Sequence, residues 1–231
     1  MKIAIIADIH SNIFALRSVV EDLDKENVDF ILVVGDIVGY YYWPNEVIKM
    51  LMSDKRFICI RGNHEDILKK TLSCKKSAKF YEKKYGLGYE FCKNQLSDDQ
   101  IQWLDSLPVE ISIKLGRIKF YMAHGALHST DSYLYPNVSS KELLLNYSNC
   151  EFTIFGHTHY PFIHTHNNKY LLNPGSVGQP RDVGGLASYV IINDCNSVVQ
   201  FKRRAFDVLP IINATEINNP ELKYLSEIML R

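Results

Sequence analysis

The sequence predicts an α/β fold, and two patterns carry that expectation. Short apolar runs alternate with amphipathic stretches at the start of the chain, and the second half is rich in strand-like runs. Residues 3–7 read as a buried strand. Ile13, Leu16, Val20 and Leu23 then recur at helical spacing, with Ser11 or Asn12 available as the cap. Residues 30–34 and 57–60 are two further buried runs, separated by a helix that opens at Pro44 and carries Val47, Ile48 and Leu51. Strand, helix, strand, helix, strand is the pattern of a parallel sheet with helices packed on it.

From Glu65 to Leu107 the periodicity is helical. Ser97 and Gln100 stand at capping-box spacing before Ile101, Trp103 and Leu104, and Pro108 closes the segment. Strand-like runs follow at 109–115, 118–122, 152–155, 162–165, 170–172, 189–192 and 198–201, with Asn167-Asn168 a turn between two of them. They are expected to form a second sheet facing the first. Residues 220–229 read as a terminal helix. With no repeat, linker or low-complexity stretch, residues 1–231 are read as a single domain.

Composition narrows the class of function. Net charge is zero and the pI is about 7.1. Non-specific grip on long nucleic acid draws on a basic excess, so a general nuclease is disfavoured. The cysteines (Cys59, Cys74, Cys92, Cys150, Cys195) are odd in number, scattered and never in a C-x-x-C pair, so they read as buried free thiols of a reducing compartment. The apolar run at 3–7 is too short for a signal-peptide core, and no later run is long enough to span a bilayer. A cytoplasmic protein without a membrane partner is expected.

Five short clusters hold the chemistry: Asp8-Ile9-His10, Gly35-Asp36, Gly62-Asn63-His64, His124-Gly125 and Gly156-His157-Thr158-His159. Each follows an apolar run, where a buried strand ends and a loop begins. Spacing of two along extended chain can put Asp8 with His10, and His157 with His159, on one face. At the C-terminal end of a strand that face opens on the crevice where α/β sheets bind ligands. Imidazole nitrogen with carboxylate and amide oxygen suits divalent ions without any thiolate. Each cluster alone is weak, and an isolated Asp-x-His or Asn-containing turn is commonly structural. Joint occurrence decides: five of the eight histidines lie in these clusters, whereas His128, His164 and His166 lack the context and read as non-ligands. The alternating His164 and His166 fit a solvated strand face.

These clusters, in this order, resemble the calcineurin-like metallophosphoesterase superfamily, whose pattern is D-x-H, G-D, G-N-H-[D/E], a lone H before G, and G-H-x-H. Residues 35–40 with Pro44, residues 96–108 and residues 173–181 are similar to its small single-domain bacterial and archaeal branch, and the resemblance covers roughly residues 1–205. It implies a four-layer α/β/β/α sandwich of two mixed β-sheets flanked by helices. It also implies two divalent metal ions, manganese first and iron, zinc, nickel or cobalt as alternatives. Asp8, His10, Asp36 and His159 would hold one ion; Asp36, Asn63, His124 and His157 would hold the other, with Asp36 bridging. A metal-bridging hydroxide would attack phosphorus, and His64 would be catalytic, stabilising the transition state or protonating the leaving oxygen.

One departure is informative. Protein phosphatases of this superfamily read G-D-x-x-D-R-G, and here Gly39 and Tyr40 stand at the second Asp and the Arg. Without that carboxylate and guanidinium, a phosphodiesterase acting on a small, nucleotide-like phosphoester is favoured. The alternatives are a phosphomonoester phosphatase and a non-catalytic scaffold of the same fold. Arg181 is a candidate replacement for a phosphate contact, against the alternative of a surface salt bridge. Tyr40 and Trp43, in the aromatic loop 40–43, are candidates to stack a base or aryl group, against the alternative that the loop packs on the helix behind it. Tyr133, Leu134 and Tyr135 are candidates to line the same pocket.

Overall fold

A computed structural model describes residues 1–127 and 129–231; His128 lies outside the described residues. The first sheet has β1 (Lys2–Ile6), β2 (Phe30–Val34) and β3 (Phe57–Ile60) side by side and parallel. They are joined through α1 (Ile13–Lys25) and α2 (Pro44–Ser53). As expected, Asn12 caps α1, its side chain accepting from the Ala15 N–H at 3.1 Å, and Pro44 opens α2. The helical stretch resolves into α3 (Asn63–Ser73), α4 (Lys75–Tyr85), α5 (Gly88–Gln95) and α6 (Asp98–Ser106), the last carrying the Ser97–Gln100 capping box.

The second sheet has the order β4 (Glu110–Leu115), β5 (Ile118–Ala123), β6 (Phe152–Ile154), β8 (Lys169–Asn173), β7 (Phe162–His166). Asn167 and Asn168 both take positive φ, 49° and 58°, and close the tight hairpin between β7 and β8. The remaining strands depart from expectation. β9 (Leu186–Asn193) and β10 (Val198–Ala205) leave the second sheet and join the first, β9 pairing antiparallel with β1. Both sheets are therefore mixed and five-stranded.

Strand alternation explains the layering. Ile3, Ile5, Leu32 and Val34 face Phe120, Met122, Phe152 and Ile154 between the sheets, whereas Ala4, Ile6, Ile31 and Val33 pack under α1 and α2. Each such Ile, Leu or Phe removed from water contributes about 1.5–3 kcal/mol. The outer face of the second sheet is covered by α7 (Ser140–Leu145) through Leu143, against Phe155 and Leu171. This is the expected α/β/β/α order, with a thin last layer.

The C-terminus differs from the sequence expectation. Only α9 (Tyr224–Glu227) and a 3-10 turn, Ile228–Leu230, form within 220–229. A helix with no periodic signature, α8 (Leu209–Asn218), precedes them. Its apolar residues lie all round: Ile211 is buried while Leu209 and Ile217 are exposed. The cysteines also divide, Cys59 and Cys92 being buried and Cys74 and Cys195 exposed. Among the described residues, no helix is long and apolar enough to cross a membrane.

Candidate metal centre

All five clusters lie just past strand ends: β1, β2 and β3 in one sheet, β5 and β6 in the other. β5 and β6 run parallel to each other, as do the first three, so each sheet delivers its loops to one edge. The local geometry is not the extended pleat the spacing suggested. Asp8, His10, Asp36, His157 and His159 all have φ between 50° and 67°, in the left-handed region. Non-glycine residues populate it rarely, and such strain gathers at functional sites because the surroundings over-determine it.

Those surroundings are visible. The Asp8 and His10 N–H groups donate to the Gly35 and Asp36 carbonyls, tying the first loop to the second. The segment 173–181 braces the same loop: Ser176 Oγ donates to the Asp8 carbonyl at 2.7 Å, and the Val177 and Gly178 N–H groups donate to the carbonyls of Ala7 and Asp8. Asn173 Nδ2 donates to the Gly156 carbonyl at 2.6 Å. Gly62 has to be glycine for closeness, since a Cβ there would lie 2.2 Å from Asp36 Oδ1.

Glu65 is the residue that cluster reasoning passed over, although the family pattern marks its position. Its buried carboxylate accepts from the N–H groups of Asp36 (3.1 Å), Ile37 (2.8 Å), Val38 (3.0 Å) and Gly62 (2.6 Å). Burial and the nearby Asp36 push this carboxyl up to about 7, and the backbone donors oppose that. Glu65→Ala would leave four buried N–H groups without an acceptor. It is expected to cost about 3–5 kcal/mol in urea denaturation. A loss under about 1 kcal/mol would mean that the loops hold without it.

The structure brings the candidate ligands together in two groups that share Asp36: Asp8, His10, Asp36 and His159, and Asp36, His124 and His157. Within each, the ligand atoms lie within 4.8 Å of one another. Asn63 joins the second group, its terminal amide position lying 3.0 Å from His157 Nδ1, 3.2 Å from His124 Nε2 and 3.2–3.3 Å from the two Asp36 oxygens. An amide nitrogen there donates to its neighbours; a carbonyl oxygen there completes an all-acceptor set.

The hydrogen bonds test whether these residues fit a cation. His10, His124 and His159 have Nδ1 against the carbonyls of Val38 (3.2 Å), Val34 (2.7 Å) and Gln179 (2.7 Å). A carbonyl only accepts, so Nδ1 carries the hydrogen and a neutral ring presents its Nε2 lone pair inward. His10 Nε2 and His159 Nε2 are 3.0 Å apart. His124 Nε2 is 3.0 Å from Asp36 Oδ2, and Asp8 Oδ2 is buried without a hydrogen-bond partner among the described residues. Lone pairs and carboxylates this close repel unless positive charge sits among them.

Proton equilibria single out His124: the other three rings stay neutral, while a proton between His124 and Asp36 holds a place that a cation would take. Burial drives His10 and His159 well below the usual imidazole range, and His157 down to about 3. Burial pushes the Asp8 carboxyl up to about 8. Burial also opposes the charged forms of Asp36 and His124, but each outweighs it for the other. The Asp36 carboxyl is held well below the usual range, and His124 rises to about 10. The donor set fits divalent ions.

His64 lies beside this centre and outside both groups. Its ring stacks on Tyr40 with centroids 4.9 Å apart, meets His10 edge-on at 4.7 Å, and receives the Tyr89 hydroxyl at Nδ1 (2.7 Å). Burial lowers its pKa to about 4. The aromatic loop turns inward rather than forming a stacking surface: Tyr41 and Tyr42 are buried, and Trp43 packs edge-on against Phe14 of α1. Packing against α1 and α5 wins because these rings bury more apolar area there than a solvent-facing loop would. Tyr40 remains at the centre, behind His64. Arg181 is partly buried, with Nη2 3.4 Å from the Tyr40 hydroxyl, and it forms no ion pair among the described residues.

A cleft of about 260 Å³ opens beside Asn63 and His157, with Tyr85, Tyr133, Lys84 and Asp131 on its walls. The ring of Tyr133 lies over His157 at 4.0 Å, whereas Leu134 is buried. His164 and His166 sit on β7, half-buried and exposed respectively and away from the centre, His164 bonding the Tyr147 hydroxyl.

Residues 1–197 match the calcineurin-like phosphoesterase superfamily domain. An uncharacterised protein of Methanocaldococcus jannaschii is 32% identical over 223 residues, 89% of this chain and 88% of its own. The phosphodiesterase YfcE of Escherichia coli K12 is 21% identical, over 92% of this chain and 99% of that protein. Among solved structures, a metallophosphoesterase from Sphaerobacter thermophilus aligns with a TM-score of 0.77 at 25% identity, covering 99% of this chain and 98% of that one. A hypothetical protein from Pyrococcus horikoshii OT3 reaches 0.83 at 20% identity over 100% and 98%, a likeness of fold. Since the matched segment spans every loop that feeds the centre, the chain belongs to the calcineurin-like phosphoesterase superfamily and is a metal-dependent phosphoesterase.

Proposed function

We propose that this protein is a phosphodiesterase working with two divalent ions on a small, nucleotide-like phosphoester. The observation that carries the reading is the meeting of two ligand groups on one carboxylate, Asp36. Asp8, His10, Asp36 and His159 would hold one ion, and Asp36, Asn63, His124 and His157 the other. Manganese is the first expectation; mixed imidazole and carboxylate sites also take iron, zinc, nickel or cobalt. When bound, such a pair supplies positive charge across a phosphate and lowers the pKa of a water nucleophile.

The chain's own residues do the rest. His64, neutral because it is buried, offers an imidazole hydrogen toward the leaving oxygen. Arg181 lacks a carboxylate partner among the described residues and lies close enough for its charge to depress His159, which supports a role in contacting a phosphate oxygen. The aromatic and lysine walls of the cleft suit a planar group next to the phosphate, a task the sequence analysis had given to loop 40–43.

Diester preference rests on Gly39 and Tyr40, which leave one guanidinium fewer for a phosphate dianion, and on kinship with a protein named a phosphodiesterase. A matched p-nitrophenyl mono- and diester turned over by one manganese-loaded preparation checks this. The diester is expected to lead by about tenfold in kcat/KM, and Arg181→Ala to raise its KM several-fold. Faster turnover of the monoester would overturn the preference.

A further inference from the structure

We propose that Tyr89 is the positioning residue for His64, its hydroxyl reaching from α5 to the ring through the space that Gly39 leaves open. The proposal rests on the reading of His64 as the hydrogen donor to the leaving group.

Three observations place Tyr89 there. Its hydroxyl lies 2.7 Å from His64 Nδ1, with both residues buried. Gly39 makes the approach possible: a Cβ at that position would stand 2.3 Å from His64 Nδ1 and 3.2 Å from the Tyr89 hydroxyl. Any side chain at 39 would run into the His64 ring and crowd the phenol. The missing side chain at 39 and the tyrosine from α5 therefore fit one another.

The direction of the hydrogen bond follows from partner counting. Among the described residues the Tyr89 hydroxyl makes no hydrogen bond other than the one to His64. A buried phenol hydrogen needs an acceptor, so the hydroxyl donates and Nδ1 accepts. Burial drives the Tyr89 pKa well above the usual phenol value, which keeps that hydrogen in place. A neutral imidazole accepting at Nδ1 carries its own hydrogen at Nε2. Tyr89 thus selects the Nε2–H tautomer, the reverse of the Nδ1–H form that the carbonyls impose on His10, His124 and His159. The former can donate to a leaving oxygen; the latter can ligate a metal.

The test is Tyr89→Phe, which keeps the ring and removes only the hydroxyl. Zinc-loaded protein labelled with ¹⁵N-histidine is read by long-range ¹⁵N–¹H correlation, with His64 assigned by its absence in His64→Gln. Wild type is expected to show Nε2–H at His64, and Tyr89→Phe to show a mixture or the Nδ1–H form. An Nδ1–H ring in wild type, or an unshifted Nε2–H ring in the variant, overturns the proposal. Turnover separates it from the reading beneath it. A hydrogen-bond donor to the leaving oxygen matters most for poor leaving groups, so the ratio of alkyl to nitrophenyl diester turnover is expected to fall about tenfold in Tyr89→Phe. A packing role alone would leave that ratio in place. A tautomer shift without a change in ratio upholds Tyr89 as the positioning residue and overturns hydrogen-bond donation by His64 to the leaving group.

Discussion

Chelated protein is expected to lose turnover of a model phosphodiester and to regain it on adding Mn²⁺, whereas Asp36→Asn is expected to stay inactive after the same addition. Both ligand groups close on Asp36, so removing its charge weakens two sites at once. The several kcal/mol that bound divalent ions contribute at a phosphoryl centre correspond to a loss of about 10³-fold or more in kcat. Elemental analysis should find both ions depleted in the variant. Full turnover of a diester in excess chelator would sink the metal-dependent reading. A variant that keeps one ion and most of its activity would show that Asp36 serves a single site.

The metal centre was more legible in the sequence than the frame that holds it. Residue type and order were enough to single out the five clusters, because divalent ions take few kinds of donor and strand ends in α/β folds are predictable places for them, and the resemblance then named Asp8, His10, Asp36, Asn63, His124, His157 and His159 as candidate ligands. What spacing misjudged was local geometry. Asp-x-His read as one pleat of a strand, yet φ of 55° and 50° at Asp8 and His10 shows a left-handed loop held by Gly35, Asp36 and Ser176. Backbone carbonyls that fix Nδ1 of three histidines leave no trace in side-chain identity. Long-range pairing was equally silent: β9 looks like any other apolar strand, and only the pairing with β1 assigns it to the first sheet. Tyr89 was invisible for the same reason, since a tyrosine in an amphipathic helix gives no sign that its hydroxyl reaches His64. Gly39 was the available clue. It was read as the loss of a carboxylate, when it also opens the space for a phenol.

His64→Ala should separate catalysis from metal binding. If His64 donates a hydrogen bond to the leaving oxygen, removing it is expected to lower kcat by about 10²–10³-fold. The metal content should stay near that of wild type, because no atom of the ring belongs to either ligand group. Stability will change too: the substitution leaves the buried Tyr89 hydroxyl without its acceptor, a cost of about 1–3 kcal/mol. Thermal unfolding therefore has to accompany the kinetics, and His64→Gln, which keeps a polar group near Tyr89, provides the control. Loss of both ions in either variant would make His64 a structural support of the centre and remove its catalytic assignment. Retained ions with a selective loss on poor leaving groups would place the ring at the scissile bond. The contrast should be sharp against His157→Ala, where ion loss comes first, since His157 lies in a ligand group with its Nδ1 3.0 Å from the Asn63 amide. Two imidazoles of one centre would then fail in different ways, one by losing the ion and the other by losing the hydrogen bond to the leaving oxygen.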